Sequence, residues 1–188
     1  MTAAPVGRPH KSTQRLSKQL ILRTALPIVQ KHGADALSFR LLSEKLKVTP
    51  MAVTYHTGNK RRLLADLVDL AFKDTLPEIA TENPTQNARD ILHAYCQRAL
   101  LNANLLRAVL EDISLMSEDL IGITDALQTC TRQLDNGDAQ NVLLHLLIDY
   151  THGFVFSATS GDDNPLTIED YLPGLEWILA RTSEDGGE

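Results

Sequence analysis

The stretch SFRLLSEKLKVTPMAVTYHTGNKRRLL, residues 38–64, contains three consecutive signals for the start of a helix. Ser38, Thr49 and Asn59 each carry a short side-chain oxygen that can accept hydrogen bonds from the free amides of a first helical turn. Pro50 strengthens the second signal. Proline has no backbone N–H, and at the first helical position that N–H would have no partner within the helix, so no hydrogen bond is lost. The stretch predicts one helix that stops at Lys47 and Val48, a second over residues 50–56, and a third that begins after Asn59.

Two short helices, a tight turn and a basic helix start are typical of a helix-turn-helix. The major groove of DNA admits one helix, whose first residues reach the base edges. Ala52 and Val53 should pack inward against the leucines of the preceding helix, whereas Lys60 is placed to hold a phosphate. The outward residues that would read DNA are Thr49, Met51, Thr54 and Tyr55. Spacing alone leaves open an ordinary helical hairpin.

Composition predicts an all-α protein, and a basic N-terminus with no apolar segment after it predicts a cytoplasmic location. The 188 residues include only 10 Gly and 8 Pro, and apolar residues recur at helical spacing. No apolar run approaches the roughly 18 residues of a membrane span, so no membrane partner is expected. Cys96 and Cys130 lack metal-binding or redox spacing, which predicts two reduced, buried thiols, with a thiol switch as the alternative. No cofactor and no metal are expected.

Charge divides the chain into two parts. Residues 1–75 hold 13 Lys/Arg and 5 Asp/Glu, a balance of +8, whereas residues 76–188 hold 5 and 19, a balance of −14. The positive part is also the part with the helix-turn-helix pattern. We therefore predict a basic module for a polyanion and an acidic remainder with another task, the alternative being chance clustering on solvated faces.

The order of elements follows from breaks in the apolar pattern. Pro27 interrupts the first helix, where a kink or local unwinding is expected. Further helices are predicted over residues 16–31, 60–76, 85–101, 104–110, 118–134, 138–160 and 167–181. The predicted organisation is a flexible basic arm (1–15), a helix-turn-helix domain (16–59), a connector helix (60–76), a helical domain (77–183) and a disordered tail (184–188). Arg8 beside Pro9 suits either a minor-groove contact or a disordered tail.

Three polar residues fall on one face of the predicted helix over residues 138–160. His145, Asp149 and His152 are spaced at i, i+4 and i+7, which suits lining of a polar pocket or hydrogen bonding at an interface better than a metal site. No nucleophile, phosphate-loop or paired-carboxylate pattern is present in the sequence. We therefore expect no enzyme activity, although acid–base pairs distant in sequence leave an enzyme as an alternative.

Residues 7–76 resemble the tetracycline-repressor (TetR) family of bacterial regulators. The pattern is HGADALSFRLLSEKLKVTPMAVTYHTGNKRRLL, with Tyr55, His56 and Lys60 at matching positions. The resemblance implies contacts to bases or sugars from Arg40, Thr49, Met51 and Thr54, next to Pro50, and contacts to phosphates from Tyr55, His56 and Lys60. Three residues depart from the family pattern. Lys47 replaces a turn glycine and implies left-handed strain of about 1 kcal/mol, Thr54 replaces a common tyrosine, and Thr57 replaces a phenylalanine that would anchor the reading helix.

The resemblance also implies a C-terminal domain for ligand binding and dimerisation. Excess apolar surface over residues 142–156 favours a homodimer through the last two long helices, with a monomer as the alternative. Candidate cavity residues are His93, Cys96, Leu106, Leu110, Met116, Ile123, Leu127, His145, Asp149 and Phe154. The implied function is a ligand-responsive regulator, a repressor released from double-stranded operator DNA by a small-molecule effector. The alternative is a helical interaction protein with a degenerate helix-turn-helix.

Overall fold

The computed structural model describes residues 16–79, 81–135, 138–161 and 166–182. Within these ranges all regular structure is helical, which confirms the predicted all-α class. The helices are α1 (Lys18–His32), α2 (Phe39–Leu46), α3 (Pro50–Thr57), α4 (Lys60–Phe72), α5 (Pro84–Leu101), α6 (Ala103–Glu111), α7 (Glu118–Leu134), α8 (Val142–Ala158) and α9 (Ile168–Thr182). The predicted N-terminal arm and C-terminal tail lie outside the described residues.

The caps predicted in residues 38–64 are all formed. The side-chain oxygens of Ser38, Thr49 and Asn59 accept hydrogen bonds from backbone amides three residues later, at 3.2, 3.2 and 2.8 Å. Gly58 closes α3 with a φ of 70°, a conformation that glycine adopts without a steric penalty. Local side-chain chemistry therefore fixes where each of these helices begins and ends.

We call α1–α3 the head and α5–α9 the body. In the body, α5 packs against α7, α8 and α9, so it lies at the centre of that bundle. Helix α1 joins the two parts because it packs against α2 and α3 in the head and against α6 in the body. Polar contacts reinforce this junction: the Gln30 side chain donates to Asn102 at 2.9 Å, and the Asn104 side chain donates to the Gln30 carbonyl at 3.0 Å.

Two predicted helix boundaries were wrong, and of the kink or local unwinding expected at Pro27, the unwinding does not occur. Helix α1 runs through Pro27 without unwinding, because the exposed ring faces solvent, where the freed carbonyl can bond to water. Helix α4 ends at Phe72 rather than at residue 76, since the Thr75 hydroxyl donates to the Phe72 carbonyl at 2.6 Å. Helix α8 begins at Val142 rather than at residue 138, and the Asp138 carboxylate instead accepts from the Leu143 amide at 2.8 Å.

Two short 3-10 turns were not predicted. They span Ala34–Ala36, which packs against α1 and α6, and Ile113–Leu115, which packs against α4 and α6. None of the helices in the described ranges has both the length and the apolar content to cross a lipid bilayer.

Candidate DNA interface and ligand cavity

Helix α3 presents large side chains to solvent on one side only. Met51 is 77% exposed and Tyr55 is 85% exposed, whereas Val53 between them is completely buried. Thr49 and Thr54 are also exposed. Met51 and Tyr55 are four residues apart and so lie on the same side of α3, and adjacent exposed apolar groups often mark an interaction surface. The outward face is therefore available to a partner, while the inward face holds the helix in place.

The core beneath α3 sets its orientation. Val53 and Leu42 are both fully buried between α2 and α3. Thr57 is only 1% exposed, and its hydroxyl donates to the Val53 carbonyl at 3.0 Å. The threonine therefore buries its hydroxyl with a partner in its own helix, although it fills less of the core than an aromatic ring.

Lys47 occupies the turn between α2 and α3 in a left-handed conformation. Its φ and ψ are 56° and 43°, as the comparison with a turn glycine predicted. Its backbone amide bonds to the carbonyls of Ser43 and Glu44 and so closes α2. The turn keeps its geometry despite the side chain, and the left-handed strain is carried by the head.

The remaining predicted DNA-facing residues surround α3. Arg40 is exposed in the first turn of α2 and pairs with Glu44 at 3.0 Å. His56 is half-buried, and its ring packs edge-on against Tyr55 at 5.3 Å between centroids. Lys60 is the first residue of α4, and Pro50 is the first of α3, so both side chains stand at helix N-termini. Helix N-termini and cations together favour bound phosphate.

The body contains a cavity of about 220 Å³ enclosed by residues from α5 to α8. Five of the ten predicted ligand-binding residues line it: Leu106, Leu110, Met116, Ile123 and Leu127. The remaining lining residues are Leu92, Tyr95, Val109, Leu120, Thr124, Ile148 and His152. Leu110 is half exposed, so it marks the rim where the cavity meets the surface.

The other five predicted cavity residues point elsewhere. His145 and Asp149 are exposed, because packing of the buried α8 residues rotates their side of the helix outward. Phe154 packs against Tyr171 of α9 at 5.3 Å between ring centroids. Cys96 is fully buried in the core, and His93 is only half-buried and close enough to Glu169 for their charges to interact. These five residues therefore do not line this cavity, and their assignment to ligand binding stays a prediction.

The predicted polar stripe on α8 does not converge. His152 faces the cavity, whereas His145 and Asp149 face solvent. Among the described residues, no group of three or more His, Cys, Asp and Glu is arranged to hold a metal ion. Both cysteine thiols are free and buried, and burial raises the pKa of the Cys96 thiol to about 12.

A hydrogen-bonded pair supplies most of the polarity inside the cavity. The Tyr95 hydroxyl lies 2.8 Å from Nε2 of His152. Burial raises the pKa of Tyr95 and lowers that of His152, the latter opposed in part by the charge of Asp149. Both groups are therefore uncharged near neutral pH. Sequence reasoning missed Tyr95, because only the fold brings α5 against α8.

One ion pair joins the first turn of α4 to the body beside the cavity. Nε of Arg61 lies 3.1 Å from a carboxylate oxygen of Asp112, and the same guanidinium donates to the Ser114 hydroxyl. Hydrogen bonds from Ser114 and Arg61 hold the pKa of Asp112 below its usual value. Asp112 directly follows α6, and Met116 directly follows the 3-10 turn, so cavity wall and ion pair share one segment.

The arrangement of head, connecting helix and helical body is that of the TetR-family regulators. BioQ of Mycobacterium smegmatis has a TM-score of 0.72 and 23% identity, over 91% of this chain and 100% of its own. The structure of BioQ with its natural double-stranded DNA operator has a TM-score of 0.72 and 22% sequence identity, over 90% of this chain and 99% of its own. The TetR-family protein ActR of Streptomyces coelicolor, in complex with (S)-DNPA, has a TM-score of 0.66 and 20% sequence identity, over 92% of this chain and 100% of its own.

These similarities cover nearly the whole chain. No family model and no curated protein matches the sequence. The TetR-type fold predicted from residues 7–76 is confirmed, and it extends through the body, where the sequence carried no specific motif.

Proposed function

We propose that the chain is a DNA-binding transcriptional regulator that acts as a dimer and leaves its operator when a small molecule enters the cavity. The exposed face of α3 carries the proposal for DNA, since Met51 and Tyr55 stand free on a helix that a buried core holds at a fixed angle. The positive charge of residues 1–75 favours a polyanionic partner. The structure of BioQ with its operator supports this use of the fold.

A second copy of the chain is the proposed partner of α8 and α9. Val142, Leu146 and Trp177 on these helices expose about half or more of their side chains. Apolar groups of this size on two adjacent helices are suited to a four-helix contact. A dimer would carry two copies of α3, as recognition of paired half-sites about 34 Å apart requires. Sedimentation of the free protein at twice the mass of one chain is the expected result.

The ion pair between Arg61 and Asp112 supports a link between the cavity and the head. A molecule that pushes on Leu110 or Met116 acts on the segment that holds Asp112. Displacement of Asp112 changes the position of α4, whose first residue is Lys60. Small shifts at the cavity are then transmitted to the spacing between the two heads. This link supports the proposal of ligand-induced release, whereas the repressor role is proposed from the family resemblance alone.

Selection of binding sites from a random-sequence duplex pool, followed by titration at several salt concentrations, tests DNA recognition. We expect specific sites and a steep fall of affinity with salt. Lys60→Ala should weaken all sequences similarly and reduce the salt slope by about one. Met51→Ala should change the preferred sequence, and it tests readout better than Thr49, whose hydroxyl also caps α3.

Lys73→Ala is the matched control for Lys60→Ala. Lys73 is exposed just beyond the opposite end of α4, so removing its charge should leave the salt slope nearly unchanged. Weak, sequence-independent binding by the unaltered protein would refute specific recognition and favour a degenerate helix-turn-helix. Equal slopes for the Lys60→Ala variant and the unaltered protein would refute the phosphate contact.

A further inference from the structure

We infer that the cavity accepts an uncharged, largely aliphatic molecule with one hydroxyl or carbonyl oxygen, which bonds to the Tyr95–His152 pair. This inference rests on the proposed function only in treating the cavity as the effector site. The size, polarity and charge of the lining each limit the ligand independently.

The volume of the cavity limits the size of the ligand. An apolar cavity of ~150 Å³ is large enough to bind benzene, which has six heavy atoms. By proportion, the 220 Å³ cavity holds roughly nine heavy atoms. A larger ligand would have to extend out of the cavity past Leu110, the half-exposed apolar residue at its rim.

The polar groups of the lining limit the ligand to one main hydrogen-bonding position. The Thr124 hydroxyl already donates to the Leu120 carbonyl at 3.0 Å within α7, so its oxygen can only accept a further bond, whereas the Tyr95–His152 pair can serve a ligand hydroxyl or a ligand carbonyl. The Tyr95 hydroxyl and the His152 ring are bonded to each other, yet the tyrosine oxygen keeps a further site. If Tyr95 donates to His152, its oxygen can accept from a ligand hydroxyl. If His152 donates, the Tyr95 hydroxyl can donate to a ligand carbonyl.

The lining provides no charge to balance an ionic ligand. Among the described residues that form it there is no Lys, Arg, Asp or Glu. Burial lowers the pKa of His152, so its imidazole is neutral near neutral pH, and the Tyr95 phenol keeps its proton. Asp149 acts on His152 from the solvent side of α8. A carboxylate or ammonium group would lose its hydration there without gaining an opposite charge.

Four compounds that share an aliphatic chain and differ in the head group test this inference. They are 1-octanol, 2-octanone, octanoate and octylammonium, and their binding to the full chain would be measured by calorimetry at neutral pH. We expect the two neutral compounds to bind at least tenfold more tightly than the two ions. Because this ranking uses the unaltered protein, it does not depend on whether any variant folds.

Tyr95→Phe tests the hydrogen bond at the polar end. The variant keeps the ring and removes the hydroxyl, so affinity for 1-octanol should fall by about threefold to tenfold. Tyr150→Phe is the matched control, because that hydroxyl donates to the Tyr171 carbonyl at 2.8 Å and Tyr150 does not line the cavity. The control should bind 1-octanol as the unaltered protein does.

The outcomes separate this inference from the proposed function. Octanoate or octylammonium binding as tightly as 1-octanol would overturn the inference, as would no binding of any compound at millimolar concentration. Release from selected DNA would be measured in parallel. If 1-octanol binds and the protein stays on DNA, the proposed release fails while the assignment of the cavity stands.

Discussion

The head and the body bury their apolar side chains under different constraints. In the head, Leu42 and Val53 are completely buried directly beneath the exposed face of α3. In the body, Leu127 is buried to nearly the same extent but borders a cavity of about 220 Å³. A helix that reads DNA, the role proposed for α3, needs a fixed orientation, which close packing supplies. A cavity wall instead has unfilled contacts that a ligand can complete.

The largest expected effect tests this contrast with one substitution in each part. Leu42→Ala should lower the free energy of unfolding by about 3–5 kcal/mol, because close-packed neighbours cannot fill the space. Leu127→Ala should cost about 2 kcal/mol, since part of its surface already faces empty volume. Urea denaturation of the full chain gives both values. Equal losses would show that the cavity wall is packed as tightly as the head.

A second prediction sharpens the comparison by locating close packing within the body. Any Cβ on Gly174 of α9 would overlap the Tyr150 side chain, which stacks on Tyr171 at 5.2 Å between ring centroids. Gly174→Ala should therefore destabilise the chain by about 1–3 kcal/mol. Gly122→Ala in α7 is the matched control, because a Cβ there meets nothing within 4 Å.

Thermal unfolding at a fixed protein concentration distinguishes the two glycines. The Gly122→Ala variant should gain roughly 0.5–1 kcal/mol from the better helix propensity of alanine. If the Gly174→Ala variant is also more stable, Tyr150 moves aside freely and the contact between α8 and α9 is not close-packed.

The smallest expected effect concerns the strained turn of the head. Lys47→Gly should raise the free energy of unfolding by about 0.5 kcal/mol, because glycine accepts the left-handed φ of 56° at the cost of a freer unfolded chain. Lys45→Gly, two residues earlier inside α2, should instead lose about 1 kcal/mol. Opposite signs in matched denaturation curves would confirm the strain at Lys47, and a loss at both positions would contradict it.

The head was predictable because its signals are local. Ser38, Thr49 and Asn59 act on amides three residues away, so the sequence contains both partners of each contact within one short window. The left-handed turn at Lys47 followed from the same window. Positions of the candidate DNA-facing side chains could therefore be anticipated, although DNA contact itself is still a prediction.

The body was less predictable because its cavity depends on how helices rotate against one another. The sequence placed His145, Asp149 and His152 on one stripe of α8, yet only His152 faces the cavity. The rotation of α8 is set by which of its residues are buried, among them Leu147 and Thr151. Because α8 is apolar on nearly all sides, its sequence pattern does not indicate which side faces the core. The partner of His152, Tyr95, lies on α5 and has no sequence signal linking it to α8.

The adjacency of Lys60 and Arg61 has a geometric consequence for the proposed release from DNA. Neighbouring residues project about 100° apart around a helix, so one side chain can face a phosphate while the other faces Asp112. The tip of a side chain lies about 6 Å from the helix axis. If α4 rotated about its own axis by ~10°, that tip would therefore move by roughly 1 Å. In the proposed release, loosening the Arg61 contact and misaligning the Lys60 ammonium would thus be a single rigid motion, with no intermediate hinge required.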